Sequence, residues 1–148
     1  MEPAVEFLLV EDDPRDVRLT LREFEGMKSR IGVARDGEEA LDFLFCRGPY
    51  ADRSPLHPPK LVLLDLKLPK VDGLEVLREI KSRPETQSIP VVVLTSSREE
   101  RDMAESYRLG VNSYVQKPVD FDEFRQAIKS LGFYWLVVNQ PPPHQAFE

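Results

Sequence analysis

Acidic residues follow two apolar segments that lie far apart in the chain. Asp65 comes directly after the apolar segment 61–64, and Glu11 and Asp12 come directly after the apolar segment 7–10. Uninterrupted apolar segments of this length are typical of strands buried on both faces of a parallel sheet. A carboxylate at the end of such a strand is costly to bury unless the strand end opens into a polar site. The pattern therefore predicts one acidic pocket shared by both strand ends.

Carboxylates gathered in one pocket repel each other, so the predicted pocket favours a bound cation. Magnesium is the predicted guest, because it takes oxygen ligands from one or two carboxylates and keeps water and phosphate oxygens in its shell. No Cys/His cluster accompanies the acids, which disfavours zinc. Some of the acids also have purely structural interpretations. Asp13 can cap a helix that begins at Pro14, and Asp12 can be a helix-start acid favoured by the helix dipole.

A hydroxyl and an ammonium group stand at the ends of two further predicted strands. Thr95 follows the apolar segment 90–94, and Lys117 comes shortly after segment 111–115. A threonine hydroxyl can donate to a phosphate oxygen, and a lysine can pair with a phosphoryl group as a compact cation. Each residue alone could be an ordinary strand threonine or a solvated loop lysine. Together with the acids, they predict a site that binds a phosphoryl group.

Strand-like and helix-like segments alternate along the chain, which predicts a parallel sheet covered by helices on both faces. The expected topology is a doubly wound, five-stranded, flavodoxin-like α/β fold with strand order 2-1-3-4-5, in which the first and third strands flank the ligand-binding reversal. The predicted strands are near 5–10, 30–35, 61–65, 90–95 and 112–115, and the predicted helices near 14–27, 37–47, 73–83, 98–109 and 121–131. The pairs that resemble capping boxes are Asp36 with Glu39, Ser97 with Glu100, and Asp120 with Glu123.

These motifs, in this order, resemble the receiver domain of two-component response regulators, the family that includes the bacterial chemotaxis regulator. Thr95 lies 30 positions after Asp65 and Lys117 lies 52 positions after it. Both spacings suit that family closely, and the resemblance covers residues 5 to 131. The matching segments are Val10-Glu11-Asp12, Leu64-Asp65-Leu66-Lys67-Leu68-Pro69-Lys70-Val71-Asp72-Gly73, Leu94-Thr95-Ser96 and Tyr114-Val115-Gln116-Lys117-Pro118.

The resemblance implies a role for each acid of the pocket. Asp65 resembles the phospho-accepting aspartate, a carboxylate nucleophile that forms an acyl phosphate. Asp12 would bind Mg²⁺ directly, Glu11 would bind it through water, and the backbone carbonyl of Lys67 would be a further ligand.

The resemblance also implies a switch. Thr95 and Lys117 would contact oxygens of the phosphoryl group, and Tyr114 would change rotamer as Thr95 moves. The Lys117–Pro118 peptide bond would be cis, as is typical of the family. Phosphorylation replaces one negative charge with roughly two. The face formed by helix four, strand five and helix five would then change its partner preference.

Composition narrows the class of partner and the location. The chain has 148 residues and a formal net charge of −6, which argues against general binding to nucleic acid or to an anionic membrane. No segment approaches the roughly 20 apolar residues of a membrane helix. The single cysteine, Cys46, fits a reducing compartment, so we expect a cytoplasmic protein.

We expect a receiver domain over residues 1–131 and a C-terminal extension over 132–148. Too little chain follows the fifth helix for a DNA-binding or enzymatic output domain, so output through protein contacts is expected. Phe133, Tyr134 and Trp135 would either form a homodimer contact or fold back over the core as an extension of helix five.

The proline-rich insertion before the third strand and the Tyr134-Trp135 pair resemble single-domain regulators that serve bacterial phytochrome kinases. This narrower resemblance implies a histidine kinase as phosphodonor, with light as a possible stimulus, and a homodimer.

Two other functions remain open. Phosphatases of the haloacid dehalogenase type also use an aspartate at a strand end with magnesium, but they typically carry a second acid two positions later, where this chain has Lys67. An unphosphorylated interaction module of receiver shape is the other alternative, and the intact set of acid, hydroxyl and lysine argues against it. The favoured interpretation is a signalling protein that catalyses only its own phosphorylation and dephosphorylation.

Overall fold

The computed structural model describes residues 5–27 and 30–142. Five parallel strands form one sheet in the order β2-β1-β3-β4-β5, which confirms the predicted doubly wound, flavodoxin-like fold and its strand order. The strands are β1 (Phe7–Val10), β2 (Ile31–Ala34), β3 (Leu61–Leu64), β4 (Val91–Thr95) and β5 (Ser113–Gln116). The helices are α1 (Pro14–Phe24), α2 (Gly37–Leu44), α3 (Gly73–Ser82), α4 (Glu100–Leu109) and α5 (Phe121–Phe133).

The sheet separates two apolar layers, and alternate side chains of each central strand enter opposite layers. In β1, Phe7 and Leu9 pack with residues of α1 and α5, whereas Leu8 and Val10 pack with residues of α2 and α3. Every residue of β1, β3 and β4 is buried, because helices cover both faces of these strands. This two-sided burial is the physical reason for the uninterrupted apolar segments in the sequence.

Aspartates cap three of the helices, as predicted, but Glu39 Oε1 accepts from the N–H of Arg35 rather than from that of Asp36, so α2 lacks the full capping box. Asp13, Asp36 and Asp120 each accept a hydrogen bond from a backbone N–H in the first turn of α1, α2 and α5, respectively. Each bond satisfies a donor that the helix itself leaves unpaired.

The predicted capping box of Ser97 and Glu100 is wrong. Helix α4 begins at Glu100, and its N-cap residue is Glu99, which makes no side-chain cap. Ser97 Oγ instead donates to Asp102 Oδ2 over 2.6 Å, inside the protein. The same Ser97 oxygen accepts a hydrogen bond from the N–H of Glu99 over 3.3 Å, one residue before the helix begins, so the hydroxyl is satisfied as donor and as acceptor without capping α4.

The C-terminal segment continues α5 and then closes in one π-helical turn, Tyr134–Val138. Trp135 and Leu136 pack against the layer beneath α1 and α5. Phe133 and Tyr134 are 56% and 49% exposed. One side of this segment therefore covers the core of its own chain, and the other side leaves aromatic surface uncovered. No helix within residues 5–27 and 30–142 has the length and hydrophobicity that crossing a bilayer requires.

Candidate functional site

One buried ammonium group joins three carboxylates at the carboxyl edge of the sheet. Lys117 Nζ lies 2.7 Å from Glu11 Oε1, 2.8 Å from Asp16 Oδ2 and 3.0 Å from Asp65 Oδ2. The Lys117 side chain is only 10% exposed. Because an ammonium group has three hydrogens, these contacts use its full donor capacity.

The strand order explains why these residues meet. Strands β1 and β3 are neighbours in register, with Val10 opposite Leu64, so Glu11 and Asp65 follow adjacent strand ends. The Asp65 N–H donates to the carbonyl of Val10 over 3.0 Å and ties the two ends together. On the other side, the Lys117 N–H donates to the carbonyl of Thr95 over 2.7 Å, which fixes the end of β5 beside β4.

Three acids of this edge form a group that suits a hard cation. One oxygen from each of Glu11, Asp12 and Asp65 lies within 4.8 Å of the others. Glu11 and Asp65 are buried, whereas Asp12 is exposed. An all-oxygen set with an open side fits Mg²⁺ or Mn²⁺, which retain waters when they bind to proteins.

The loop that follows Asp65 is held tightly against α3. The Lys67 N–H donates to Asp65 Oδ1 over 3.2 Å, and the Gly73 N–H donates to the carbonyl of Leu66 over 3.0 Å. A Cβ atom at Gly73 would lie 2.4 Å from Leu66 Cα, so only glycine fits at this close approach. The carboxylate of Asp65 is thereby oriented by its own loop as well as by Lys117.

Burial and repulsion change the proton affinities of the site. Burial raises the pKa of Glu11 to about 8, and the neighbouring Asp65 carboxylate adds to this rise. Burial acts to lower the pKa of Lys117, but the Asp65 and Glu11 carboxylates outweigh it and raise that pKa above its ordinary value. The lysine therefore stays charged while Glu11 readily takes up a proton.

The predicted switch residues Thr95 and Tyr114 lie on the neighbouring strands β4 and β5, two positions apart in register. Thr95 is fully buried, and its Oγ1 accepts a hydrogen bond from the Ser97 N–H over 3.3 Å. The Tyr114 hydroxyl donates to the carbonyl of Ser97 over 3.4 Å, and its ring packs against the α2/α3 layer. Thr95 and Tyr114 thus share Ser97 as a common contact.

Two acidic residues of this region were not identified from the sequence. Asp16 reaches Lys117 from the first turn of α1, and Asp102 on α4 accepts the Ser97 hydroxyl and lies 3.8 Å from Lys67 Nζ. Both occur where acids are common at helix starts, so the sequence carries no signal that distinguishes them from dipole-stabilising acids.

The expectation of a cis bond before Pro118 is wrong. None of the peptide bonds among the described residues is cis, so Lys117–Pro118 is trans. The trans form is favoured for X–Pro bonds in general by roughly 0.5–1 kcal/mol.

The sequence is similar to known signalling proteins. A sequence model of the response regulator receiver domain family matches residues 7–129. Response regulator Rcp1 of Synechocystis sp. is 41% identical over 136 residues, which cover 90% of this chain and 90% of that protein.

Solved structures of response regulators also resemble this chain. The Mn²⁺-bound form of Rcp1 superposes with a TM-score of 0.88 at 39% identity, over 95% of this chain and 99% of that one. The phosphorylated cyanobacterial phytochrome response regulator RcpA superposes with a TM-score of 0.87 at 40% identity, over 95% of this chain and 99% of that one. The bacteriophytochrome response regulator AtBRR superposes with a TM-score of 0.70 at 52% identity, over 94% of this chain and 100% of that one.

Proposed function

Because the chain belongs to the response regulator receiver domain family and signals by phosphorylation, we propose that Asp65 is its phospho-acceptor. The observation that carries the assignment is the contact of Asp65 with Lys117 beside Glu11 and Asp12. Asp65 combines a buried, oriented carboxylate with an adjacent fixed cation, as a nucleophile for phosphoryl transfer requires. The phosphodonor is a sensor histidine kinase, and the similarity to phytochrome response regulators supports a phytochrome-type kinase.

In this proposal each residue has a distinct task. An Asp65 oxygen attacks the phosphorus of the phosphohistidine, and the bond between phosphorus and the histidine nitrogen breaks. Lys117 donates hydrogen bonds to the transferred phosphoryl group and offsets its charge. The Thr95 hydroxyl donates to another phosphoryl oxygen, which draws Thr95 away from Ser97. Tyr114, which contacts the same Ser97, then repacks and transmits the change to α4 and β5.

Glu11, Asp12, Asp65 and the backbone carbonyl of Lys67 would hold the divalent cation, which we propose is Mg²⁺. When bound, the ion neutralises the negative charge that gathers on the phosphoryl oxygens. The all-oxygen donor set of the three acids supports this assignment. The Mn²⁺-bound structure of Rcp1, at 39% identity, supports a divalent cation of this class.

We also propose that residues 132–148 form an extension of a receiver unit over residues 1–131. Phe133, Tyr134 and Trp135 contribute to a homodimer in this proposal, the first two through their exposed side chains and Trp135 by packing against the core and so holding the segment in place. The exposed aromatic surface of Phe133 and Tyr134 supports a protein contact at this place. A cytoplasmic location fits the single cysteine and the family's need for a kinase partner.

Labelling distinguishes this function from the alternatives. With acetyl phosphate that carries a radiolabelled phosphoryl group, and with Mg²⁺ present, each chain should take up one phosphoryl group. Hydroxylamine should release it, as expected of an acyl phosphate. Steady turnover of phosphomonoesters would instead indicate a phosphatase of the haloacid dehalogenase type. Absence of labelling from both acetyl phosphate and phosphorylated histidine kinases would indicate an unphosphorylated interaction module.

A further inference from the structure

Asp16 is a fourth carboxylate at the site, and it belongs to Lys117 rather than to the cation group. Its Oδ2 lies 2.8 Å from Lys117 Nζ, whereas the group that suits a cation consists of Glu11, Asp12 and Asp65. The Asp16 side chain is 21% exposed, so it stands at the mouth of the pocket between solvent and the buried ammonium.

The helix fixes Asp16 in this place. It is the third residue of α1, and its carbonyl accepts a hydrogen bond from the Thr20 hydroxyl over 2.8 Å. Helix α1 is itself anchored by its Asp13 cap and by burial of Val17 in the layer shared with α5. A carboxylate on such a rigid element holds its partner in one position.

The Lys117 ammonium group has no hydrogen to spare for a further acceptor. All three ammonium hydrogens are taken by Glu11, Asp16 and Asp65. A phosphoryl group on Asp65 can gain a second hydrogen bond from Lys117 only if another acceptor gives one up. Glu11 is inside the cation group and 3% exposed, whereas Asp16 is outside that group and reaches solvent, so Asp16 can be released at lower cost.

We propose that Asp16 is a positioning residue that holds Lys117 back from the phosphoryl group and thereby sets how readily Asp65 is phosphorylated. This inference rests on the proposed role of Asp65. The Asp16 carboxylate competes for an ammonium hydrogen, and its negative charge also repels an incoming anionic phosphodonor. Removal of the charge should favour phosphorylation, which is the opposite of what loss of a merely structural contact would do.

The test compares Asp16→Asn with the native 148-residue chain, with acetyl phosphate as donor and Mg²⁺ present. We expect the donor concentration for half-maximal labelling to fall roughly three- to ten-fold, the effect of about 1 kcal/mol from one partly screened charge. The fraction phosphorylated at steady state should rise. Asp16→Ala, which cannot accept from Lys117 at all, should change in the same direction, and Asp16→Glu should stay near the native value.

Asp13→Asn is the matched control. Asparagine is also a good N-cap, so this variant removes a charge from the same helix end while α1 keeps its cap. The Asp13 side chain contacts Arg15 rather than Lys117 and is 35% exposed. Loss of its charge should therefore change the half-maximal concentration by less than about two-fold, as expected of a partly screened charge that does not contact the ammonium group.

The result that overturns the inference is unchanged or weaker labelling of both Asp16→Asn and Asp16→Ala, with near-UV circular dichroism showing that they are folded. If Asp16→Asn does not fold, Asp16→Ala and Asp16→Glu decide the question. The proposed function is judged separately, by labelling of the native chain and its loss in Asp65→Asn. If the native chain itself takes up no phosphoryl group, both the proposed function and this inference fail.

Discussion

Lys117 Nζ lies 3.0 Å from Asp65 Oδ2, although 52 positions of sequence separate the two residues. Parallel strands bring them together, because β3 and β5 both end at the edge of the sheet where the acids lie. The Lys117 ammonium group offsets the negative charge of the buried acids in the folded protein. The same group is placed to offset the negative charge of a phosphoryl group on Asp65.

Replacement of Lys117 by methionine should destabilise the protein. Without the ammonium, Glu11 and Asp65 are left as buried acids without a cation, and loss of one partner of a buried ion pair costs about 3–5 kcal/mol. We expect a decrease of this order in the free energy of unfolding, measured by urea denaturation without divalent ions, and a smaller decrease with Mg²⁺ present.

Lys70→Met is the matched control for this prediction. The Lys70 side chain is 61% exposed and lies 3.6 Å from Asp36, and exposed pairs contribute less than about 1 kcal/mol. Equal decreases in the free energy of unfolding of Lys117→Met and Lys70→Met would contradict a central role for Lys117 in offsetting the charge of the buried acids.

Cation affinity should depend on pH through Glu11. Its pKa rises from 4.5 to about 8 on folding, so the folded protein holds a proton that the unfolded chain has lost between these values. The contribution of Glu11 to stability without metal is therefore fully present below pH 4.5 and is lost as the pH rises through about 8. Because the cation needs the carboxylate, Mg²⁺ affinity should increase with pH up to about 8.

Titration calorimetry with Mg²⁺ in buffers of different ionisation enthalpy measures this proton release. The native chain should release a proton on binding at pH 6 to 7, and Glu11→Gln should release less. Equal proton release by the two proteins would show that another group carries the pH dependence.

The buried hydrogen bond between Ser97 and Asp102 should contribute to stability. Ser97→Ala leaves the Asp102 carboxylate, on a side chain that is only 12% exposed, without its hydroxyl donor, which typically costs about 1–3 kcal/mol. Ser82→Ala is the control, because the Ser82 hydroxyl is exposed and donates only to the carbonyl of Glu79. Thermal unfolding should show a clearly lower unfolding temperature for Ser97→Ala and almost no change for Ser82→Ala. The reverse order would contradict a stabilising role for the hydrogen bond between Ser97 and Asp102.

The aromatic residues of the C-terminal segment should separate into two kinds. Phe133→Ser combined with Tyr134→Ser should shift sedimentation toward the monomer with little change in unfolding, because both side chains are about half exposed. Trp135→Ala should lower the free energy of unfolding, because Trp135 packs against the core. Tyr107→Ser, at an exposed aromatic on α4, is the control. Dissociation by Tyr107→Ser alone would place the dimer contact elsewhere.

The sequence carries enough information to predict the sheet and the set of acids at its edge. Buried strands are nearly all apolar, so the end of each apolar segment marks where a polar residue such as Asp65 or Thr95 stands at the edge of the sheet. Once the strand order is inferred, residues at those ends must lie at one edge. The resemblance to receiver domains adds roles that spacing alone does not assign.

Side-chain partners across elements are what the sequence could not provide. Ser97 has the residue type of an N-cap, and only the three-dimensional position of α4 shows that Asp102 takes its hydroxyl. Asp16 has the position of an ordinary first-turn acid, and its contact with Lys117 depends on how closely the first turn of α1 approaches the residue that follows β5. Such contacts depend on distances of a few ångströms between elements, which periodicity does not encode.

Mass spectrometry of the intact protein after incubation with acetyl phosphate and Mg²⁺ tests the central claim most directly. The native chain should gain the mass of one phosphoryl group, fragmentation should locate it on Asp65, and Asp65→Asn should gain none. A phosphoryl group on any other residue, or undiminished gain by Asp65→Asn, would contradict the assignment of Asp65 as the phospho-acceptor.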